Sequence, residues 1–292
     1  MTTGCLRALC ASAALALLTA GTAPAHAHER ALVWDPSWPK FRTSEYVATG
    51  ALGAAALGAM FLLDDATKPR LRGGFLFDDA ARAAFRARSP AGRDAARTAS
   101  DITAVSAASL LLGVDSLLVP VARGRADVAW QLEWMNAEAF ALSTLIRTVV
   151  VKATARARPS YGDCAEDPSF DPLCEDSKTA SFPSGHTSAA FTAAGLSCAH
   201  HTQLALYGER YGDDAACRVS LLLAVATGSL RVVGDRHYVS DVVVGAMLGF
   251  GVGFGLPLLL HYRAGAGEQV RVSQLGLDAP ASARSISWAG TF

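Results

Sequence analysis

Little in this sequence suits a nucleic-acid partner. The formal net charge is zero, with 26 Lys and Arg against 26 Asp and Glu, and aromatic residues make up only 8% of the chain. A balanced charge gives no electrostatic footprint for a polyanion, and so few rings give no base-stacking surface. The helix-length apolar stretches do not alternate apolar and polar residues over a useful length, which argues against strands there and leaves room for one short strand in the C-terminal tail. No internal repeat is present. Zinc spacing is also missing from the Cys and His residues, so a structural metal is not expected. The 6 cysteines divide by context. Cys5 and Cys10 lie in the leading segment, and Cys198 and Cys217 sit in apolar stretches, where they read as buried small hydrophobes. Cys164 and Cys174 share one polar, proline-containing loop, and in an exported chain that spacing reads as a local disulfide.

What the sequence does have is apolar length: 51% of its 292 residues are hydrophobic. Residues 1–27 read as a signal peptide, with Arg7 as the positive lead, Ala8 to Ala20 as the apolar run and Ala25-His26-Ala27 as the cleavage site. A polar lead follows over 28–43. The segment 44–263 then holds six apolar stretches of helical length, Tyr46–Leu63, Ala99–Ala122, Val128–Thr154, His186–Tyr207, Ala215–Val233 and Tyr238–Tyr262. Each is near the length a membrane span needs. The expected fold is therefore all-α, a bundle of about six helices, transmembrane, with its site at helix ends on one face. Asp101, Asp115, Glu133, Glu138 and Arg147 interrupt these stretches and must face the interior, water or each other. Gly245, Gly249 and Gly253, four apart, would let the last helix approach a neighbour closely. Lys68 to Arg97 reads as an Arg-rich connector with a short amphipathic helix near Asp79–Arg88. Residues 264–292 read as a polar tail for which disorder is expected.

Three islands carry chemistry, and each falls at a helix end. Lys152-Ala-Thr-Ala-Arg156-Ala-Arg158-Pro159 closes the third stretch, Pro183-Ser184-Gly185-His186 opens the fourth, and Arg231 to Asp241 joins the fifth to the sixth. A guanidinium fork suits phosphate oxygens, and Pro159 stops the helix so that Arg158 projects from its end. Ser184 is a natural N-cap, Gly185 permits close approach of a ligand, and the free N–H groups there make an anion site. His237 and Asp241, four apart, share a helix face. The carboxylate is expected to take one ring N–H of His237 and leave the other nitrogen as a nucleophile. His186, on another helix start, can protonate a leaving oxygen.

In these islands the sequence resembles the type 2 phosphatidic acid phosphatase family, which shares its site with vanadium haloperoxidases and bacterial acid phosphatases. The family pattern is Lys, six residues, Arg-Pro; then Pro-Ser-Gly-His; then Ser-Arg, five residues, His, three residues, Asp. The second island matches in full, as do the spacings of Arg231, His237 and Asp241. Leu230 replaces the serine before Arg231, and Lys152 stands one residue too close to Arg158, with Val151 in the lysine register. The resemblance covers roughly residues 133–255.

What the resemblance implies is a phosphatase acting through a phosphohistidine on His237, with Asp241 as its orienter and His186 as the general acid. Arg158, Arg231, Ser184, Gly185 and Lys152 would hold the phosphoryl oxygens, with cationic side chains in place of a metal and no cofactor. The expected substrate is a lipid phosphate, or a small-molecule phosphate, handled at a membrane. The expected location is the inner membrane, with the site facing the periplasm, where the cysteine pair would be oxidised. Competing expectations are a soluble, broad-specificity periplasmic acid phosphatase, a vanadium-dependent haloperoxidase, and a non-catalytic membrane protein that binds lipid phosphate.

Overall fold

The structure, a computed structural model, describes residues 31–174 and 178–263. The expected signal peptide and the tail after residue 263 lie outside the described residues. Among those residues are eight helices and no strand; a parallel bridge between Leu71 and Arg156 is the lone β-type contact. We number them α1 (Thr43–Phe61), α2 (Asp78–Phe85), α3 (Pro90–Ala122), α4 (Ala126–Thr154), α5 (Tyr161–Glu166), α6 (Gly185–Gln203), α7 (Arg210–Val233) and α8 (Val239–Leu260).

The six long helices are the six apolar stretches, and α2 is the short amphipathic helix of the connector. One boundary moved. α3 starts at Pro90, well before its apolar run, because Ser89 Oγ accepts the Gly92 N–H at 3.1 Å and Pro90 presets the first turn. Its polar first turns carry Arg93, Arg97 and Asp101. Further along, Leu110–Leu118 is π-helical.

Three helices, α3, α7 and α8, are long and apolar enough to cross a membrane. Their outer faces expose Ile102, Val105, Leu118, Leu222, Val225, Val243 and Met247. Large apolar side chains along one face in this number need a partner other than water, and lipid supplies one.

α6 sits at the centre of the bundle, and its backbone meets α8 through the spaced glycines. A Cβ on Gly249 would fall 2.2 Å from the Ser188 carbonyl oxygen, and one on Gly253 would fall 2.3 Å from that of Thr192. Gly251 and Gly255 face open space. The glycines four apart thus allow the contact, and the offset ones do not take part. This close approach fixes the start of α8 against the start of α6, where the second and third islands lie.

The intrahelical charges mostly find partners. Glu138 accepts from His261 at 2.8 Å, and Asp115 accepts from Tyr207 Oη at 2.5 Å, with all four side chains wholly or partly buried. These pairs lie at the end of the bundle away from the islands. The lead, polar by composition, belongs to the same end. Its Leu32, Trp34 and Phe41 are buried with Val128, Leu132, Met135, Leu206 and Tyr262.

Two disulfides are present among the described residues. Cys164 is joined to Cys174 across the loop after α5, and Cys198 is joined to Cys217. The second corrects the reading of those cysteines as inert core residues. α6 and α7 are neighbours, and they bring the two Cα atoms to 4.4 Å, a proximity that apolar surroundings in the sequence do not reveal.

Candidate active site

All three islands meet at one end of the bundle, where α4 and α7 finish and α6 and α8 begin. His237 lies in the turn between α7 and α8 and is only 4% exposed. Its Nδ1 is 2.7 Å from the Ser181 carbonyl oxygen, which can only accept, so Nδ1 carries the proton. Nε2 therefore holds the lone pair, and it faces Arg158 Nη1 at 3.5 Å. Burial pushes the His237 ring down to about 3, with the Arg158 cation adding to the effect against the opposing pull of Asp241. A neutral imidazole with a fixed tautomer and one lone pair directed toward an arginine has the form a nucleophile toward an anion requires.

Asp241 does not orient His237 in the way its spacing suggests. Its Oδ2 stands 3.8 Å from Nδ1, beyond a hydrogen bond. The carboxylate instead accepts from Ser181 Oγ at 2.6 Å, from the Tyr238 N–H at 2.8 Å and from Arg156 Nη1 at 2.6 Å. Asp241 thus holds the serine whose carbonyl holds the histidine. One residue stands between the two, because the chain at Ser181 passes closer to the ring than the carboxylate can.

Arg158 lies past the end of α4, which stops at Thr154 with Ala155 in the left-handed region and not at Pro159 as expected, and it donates from Nη1 to the Arg236 carbonyl at 2.9 Å. Arg231, near the end of α7, donates from Nη2 to Asp101 Oδ1, and its Nε is buried without a hydrogen-bond partner among the described residues. Asp101 Oδ1 also lies 3.2 Å from His186 Nε2. A carboxylate thus sits between a motif arginine and a motif histidine. Partial burial and the cations Arg231, Arg147 and Arg158 hold His186 down to about 4, with Asp101 opposing them. His186 itself is half exposed at the mouth. Ser184 is at the N-cap position of α6, but its hydroxyl pairs with Thr187 Oγ1 at 2.8 Å instead of capping an N–H. The first-turn N–H groups of α6 thus receive no side-chain cap from Ser184. Gly185 has the Arg147 guanidinium against it, with Cζ 3.0 Å from where a Cβ would stand.

Lys152 is not brought to these groups. Its Nζ donates to the Leu63 carbonyl at 2.5 Å and to Asp65 Oδ1 at 2.8 Å. The helix is regular at this point, so the one-residue shift turns the side chain toward the segment after α1. Its placement among the phosphate-binding residues is corrected accordingly.

The support around the islands comes from residues the motifs do not contain. Asp78, at the start of α2, accepts from the Ser240 N–H at 2.8 Å, Ser240 Oγ at 2.6 Å and Arg156 Nη2 at 2.9 Å. Asp171, inside the disulfide loop, is clamped by Arg93 Nε at 2.7 Å and by Arg97 at 2.7 and 2.8 Å. These hydrogen bonds hold the Asp171 carboxyl well below the usual carboxylate range in spite of its burial. Arg97 Nε also donates to the Gly234 carbonyl at 2.8 Å, which ties the loop to the turn that carries His237. The Arg-rich connector was the available signal for these contacts, but which acid each arginine meets depends on the tertiary fold. Beside this scaffold, an apolar groove of about 530 Å³ runs between the Leu71–Phe77 segment and the first turns of α8. It shares Arg156 and Ser240 with the network around Asp241.

Comparison with known proteins agrees with the geometry. Residues 134–264 match the family model described as the PAP2 superfamily. The chain is 34% identical over 145 residues to a lipid A 1-phosphatase of Rhizobium johnstonii, covering 48% of this chain and 52% of that protein. It is 33% identical over 151 residues to a lipid A 1-phosphatase of Rhizobium etli, covering 50% and 57%. The chain thus spans about half the length of the curated relatives it matches. No solved structure gave a significant match.

Proposed function

We propose that this chain, a member of the PAP2 superfamily through residues 134–264, is a membrane phosphatase that hydrolyses a lipid phosphate through a covalent phosphohistidine. The observation that carries the reading is the His237 ring, with Nδ1 tied to the Ser181 carbonyl and Nε2 open beside Arg158. The phosphoryl oxygens would lie among Arg158, Arg231 and the first N–H groups of α6. The Nε2 lone pair attacks phosphorus, the bond to the leaving oxygen breaks, and His186 Nε2–H gives its proton to that oxygen. Neutral His186 then takes a proton from water as the water oxygen attacks phosphorus and the P–N bond breaks, which returns His237 and releases inorganic phosphate.

Burial and the neighbouring arginines hold His186 too acidic to carry a proton at neutral pH. Its depression comes partly from the same arginines that a phosphoryl group would neutralise. Substrate binding therefore reverses the local field and raises the imidazole toward the range a general acid needs.

A lipid substrate is favoured over a small soluble phosphate by two features. α3, α7 and α8 expose apolar faces suited to a bilayer, and the apolar groove opens beside the site. The relatives' names make the 1-phosphate of lipid A the first substrate to test. The disulfide of the site-end loop supports an oxidising compartment, hence a site that faces the periplasm. The test is phosphate release by purified protein in detergent, with EDTA present, from lipid A, phosphatidate, an isoprenyl pyrophosphate and p-nitrophenyl phosphate. We expect turnover that persists in EDTA and favours a lipid. Preference for the soluble ester, with protein released from membranes by carbonate washing, would establish the soluble acid phosphatase instead.

A further inference from the structure

One cation at the mouth has no hydrogen bond or ion pair among the described residues, and Asp65 acts on it only at longer range. Arg147 stands on α4, eleven residues before Arg158. Its Nε is buried without a hydrogen-bond partner, and its guanidinium makes no ion pair among the described residues. Other arginines at this end of the bundle are held: Arg82 by Asp235 and Asp163, Arg93 and Arg97 by Asp171, Arg156 by Asp78 and Asp241. A partly buried cation with an unsatisfied Nε is costly to a fold unless an anion or water meets it.

The position of the group says which anion. The Arg147 guanidinium lies against the Gly185 backbone, with Cζ and Nε both 3.0 Å from the space a Cβ would fill. It is close enough to His186 to depress that ring together with Arg231 and Arg158. Arg147 is thus part of the cationic lining around the first turn of α6. The same geometry gives Gly185 a second role, since any side chain there would displace the guanidinium.

We propose that Arg147 is a third cationic ligand of the substrate phosphoryl group, filling the role that the displaced Lys152 leaves open. Helix geometry supports the substitution. Val151, which occupies the lysine register of the motif, is buried and faces the bundle interior at 4% exposure. Arg147 lies four residues earlier, about 40° away around the helix axis, whereas Lys152 is turned by about 100° from Val151. A guanidinium from one turn up thus comes to the face on which a lysine at 151 would stand. Lys152 is engaged by Asp65 on another face.

The assignment rests on the phosphatase reading, and the test separates the two. Arg147→Ala, Arg147→Gln, Arg158→Ala and Lys152→Ala proteins are compared with wild type. The readouts are kcat/KM for one phosphate ester, the inhibition constant of orthovanadate, and heat inactivation with and without vanadate. We expect both Arg147 variants to lose roughly a hundredfold or more in kcat/KM, to bind vanadate at least about tenfold more weakly, and to lose its protection against heat, as Arg158→Ala does. Lys152→Ala should stay within about tenfold of wild type. Arg147→Gln keeps most of the side-chain volume, so loss of vanadate binding in a variant of wild-type heat stability identifies a ligand. Arg147 variants that are less heat-stable but bind vanadate with the wild-type constant would show a structural residue and overturn the assignment. A wild-type protein that neither releases phosphate nor binds vanadate would overturn the phosphatase reading, and this assignment with it.

Discussion

Replacing Gly249 with alanine adds one methyl group where α8 crosses α6. The new Cβ would stand 2.2 Å from the Ser188 carbonyl oxygen and 2.9 Å from the Thr192 nitrogen, both backbone atoms that cannot rotate away. Relief to the shortest tolerable contact, 3.0 Å, requires the helices to part by about 0.8 Å. Overpacking of this kind costs about 1–3 kcal/mol, set against about 1 kcal/mol that alanine gains over glycine in a helix interior. The displacement matters more for activity than for stability. His237 and Asp241 ride on the start of α8, and Ser184 to His186 on the start of α6. A misplacement near 1 Å at a reacting centre costs on the order of a hundredfold in rate. The control is two residues away: a Cβ on Gly251 meets nothing within 4 Å. In detergent, Gly249→Ala should lower kcat by about tenfold to a hundredfold and shorten the half-life at elevated temperature. Gly251→Ala should leave both at or above wild type. If the two variants match in rate and half-life, the α6–α8 contact does not position the site, and the reasoning fails.

Arg158→Ala should lose roughly a hundred- to thousandfold in kcat, the usual cost of one preorganised charge, against less than about tenfold for Lys152→Ala; equal losses would mean that Lys152 leaves Asp65 to reach the phosphate. His237→Ala should abolish acid-labile phosphoryl-protein on rapid quench with a labelled substrate. His186→Ala should retain most activity on p-nitrophenyl phosphate, whose leaving group needs no proton, and little on an alkyl phosphate; a uniform loss refutes the division of roles. Unreduced protein should show no alkylatable thiol at Cys164 or Cys174, and opening this short loop should cost about 2–3 kcal/mol of stability. The depressed His237 ring makes stability depend on pH. The unfolded histidine binds a proton near pH 6.5 and the folded one only near 3. Stability from this group is complete above about pH 6.5 and is lost as pH falls toward 3, so heat inactivation should accelerate across that window and slow less steeply with pH in His237→Gln.

Much of the fold was legible because helices of bundle length leave long apolar runs, and the six runs recur as six helices. The motif residues were legible because Ser184-Gly185 marks a helix start, whereas Pro159 misplaced the end of α4, which stops earlier at Thr154. Contacts between segments distant in sequence were not. The His237–Asp241 spacing shows that the two share a face, but not that the Ser181 carbonyl, 56 residues from the histidine, comes nearer. Cys198 and Cys217 sit in apolar contexts that hide their pairing, which only the neighbouring of α6 and α7 creates. Asp101 was visible as a charge out of place in an apolar stretch. Its rotation toward Arg231 and His186 depends on how α3 is seated. Arg147 left a readable trace, a cation one helical turn before the empty lysine register.

The clamp on Asp171 bears on where the catalytic unit begins. Every motif residue lies within 134–264, yet the side chains that hold those residues come largely from earlier in the chain. Arg93 and Arg97 grip the disulfide loop and the Gly234 carbonyl, Arg82 grips Asp235, and Asp78 receives Ser240 and Arg156. Cutting the chain at the edge of the matched segment would keep the whole recognisable signature and remove its counter-charges. Arg156 would lose Asp78, and Asp235 would lose both Arg82 and Arg86, each left charged in a poorly solvated place. The boundary of resemblance and the boundary of the working machine are therefore different lines, and α2 and α3 occupy the ground between them.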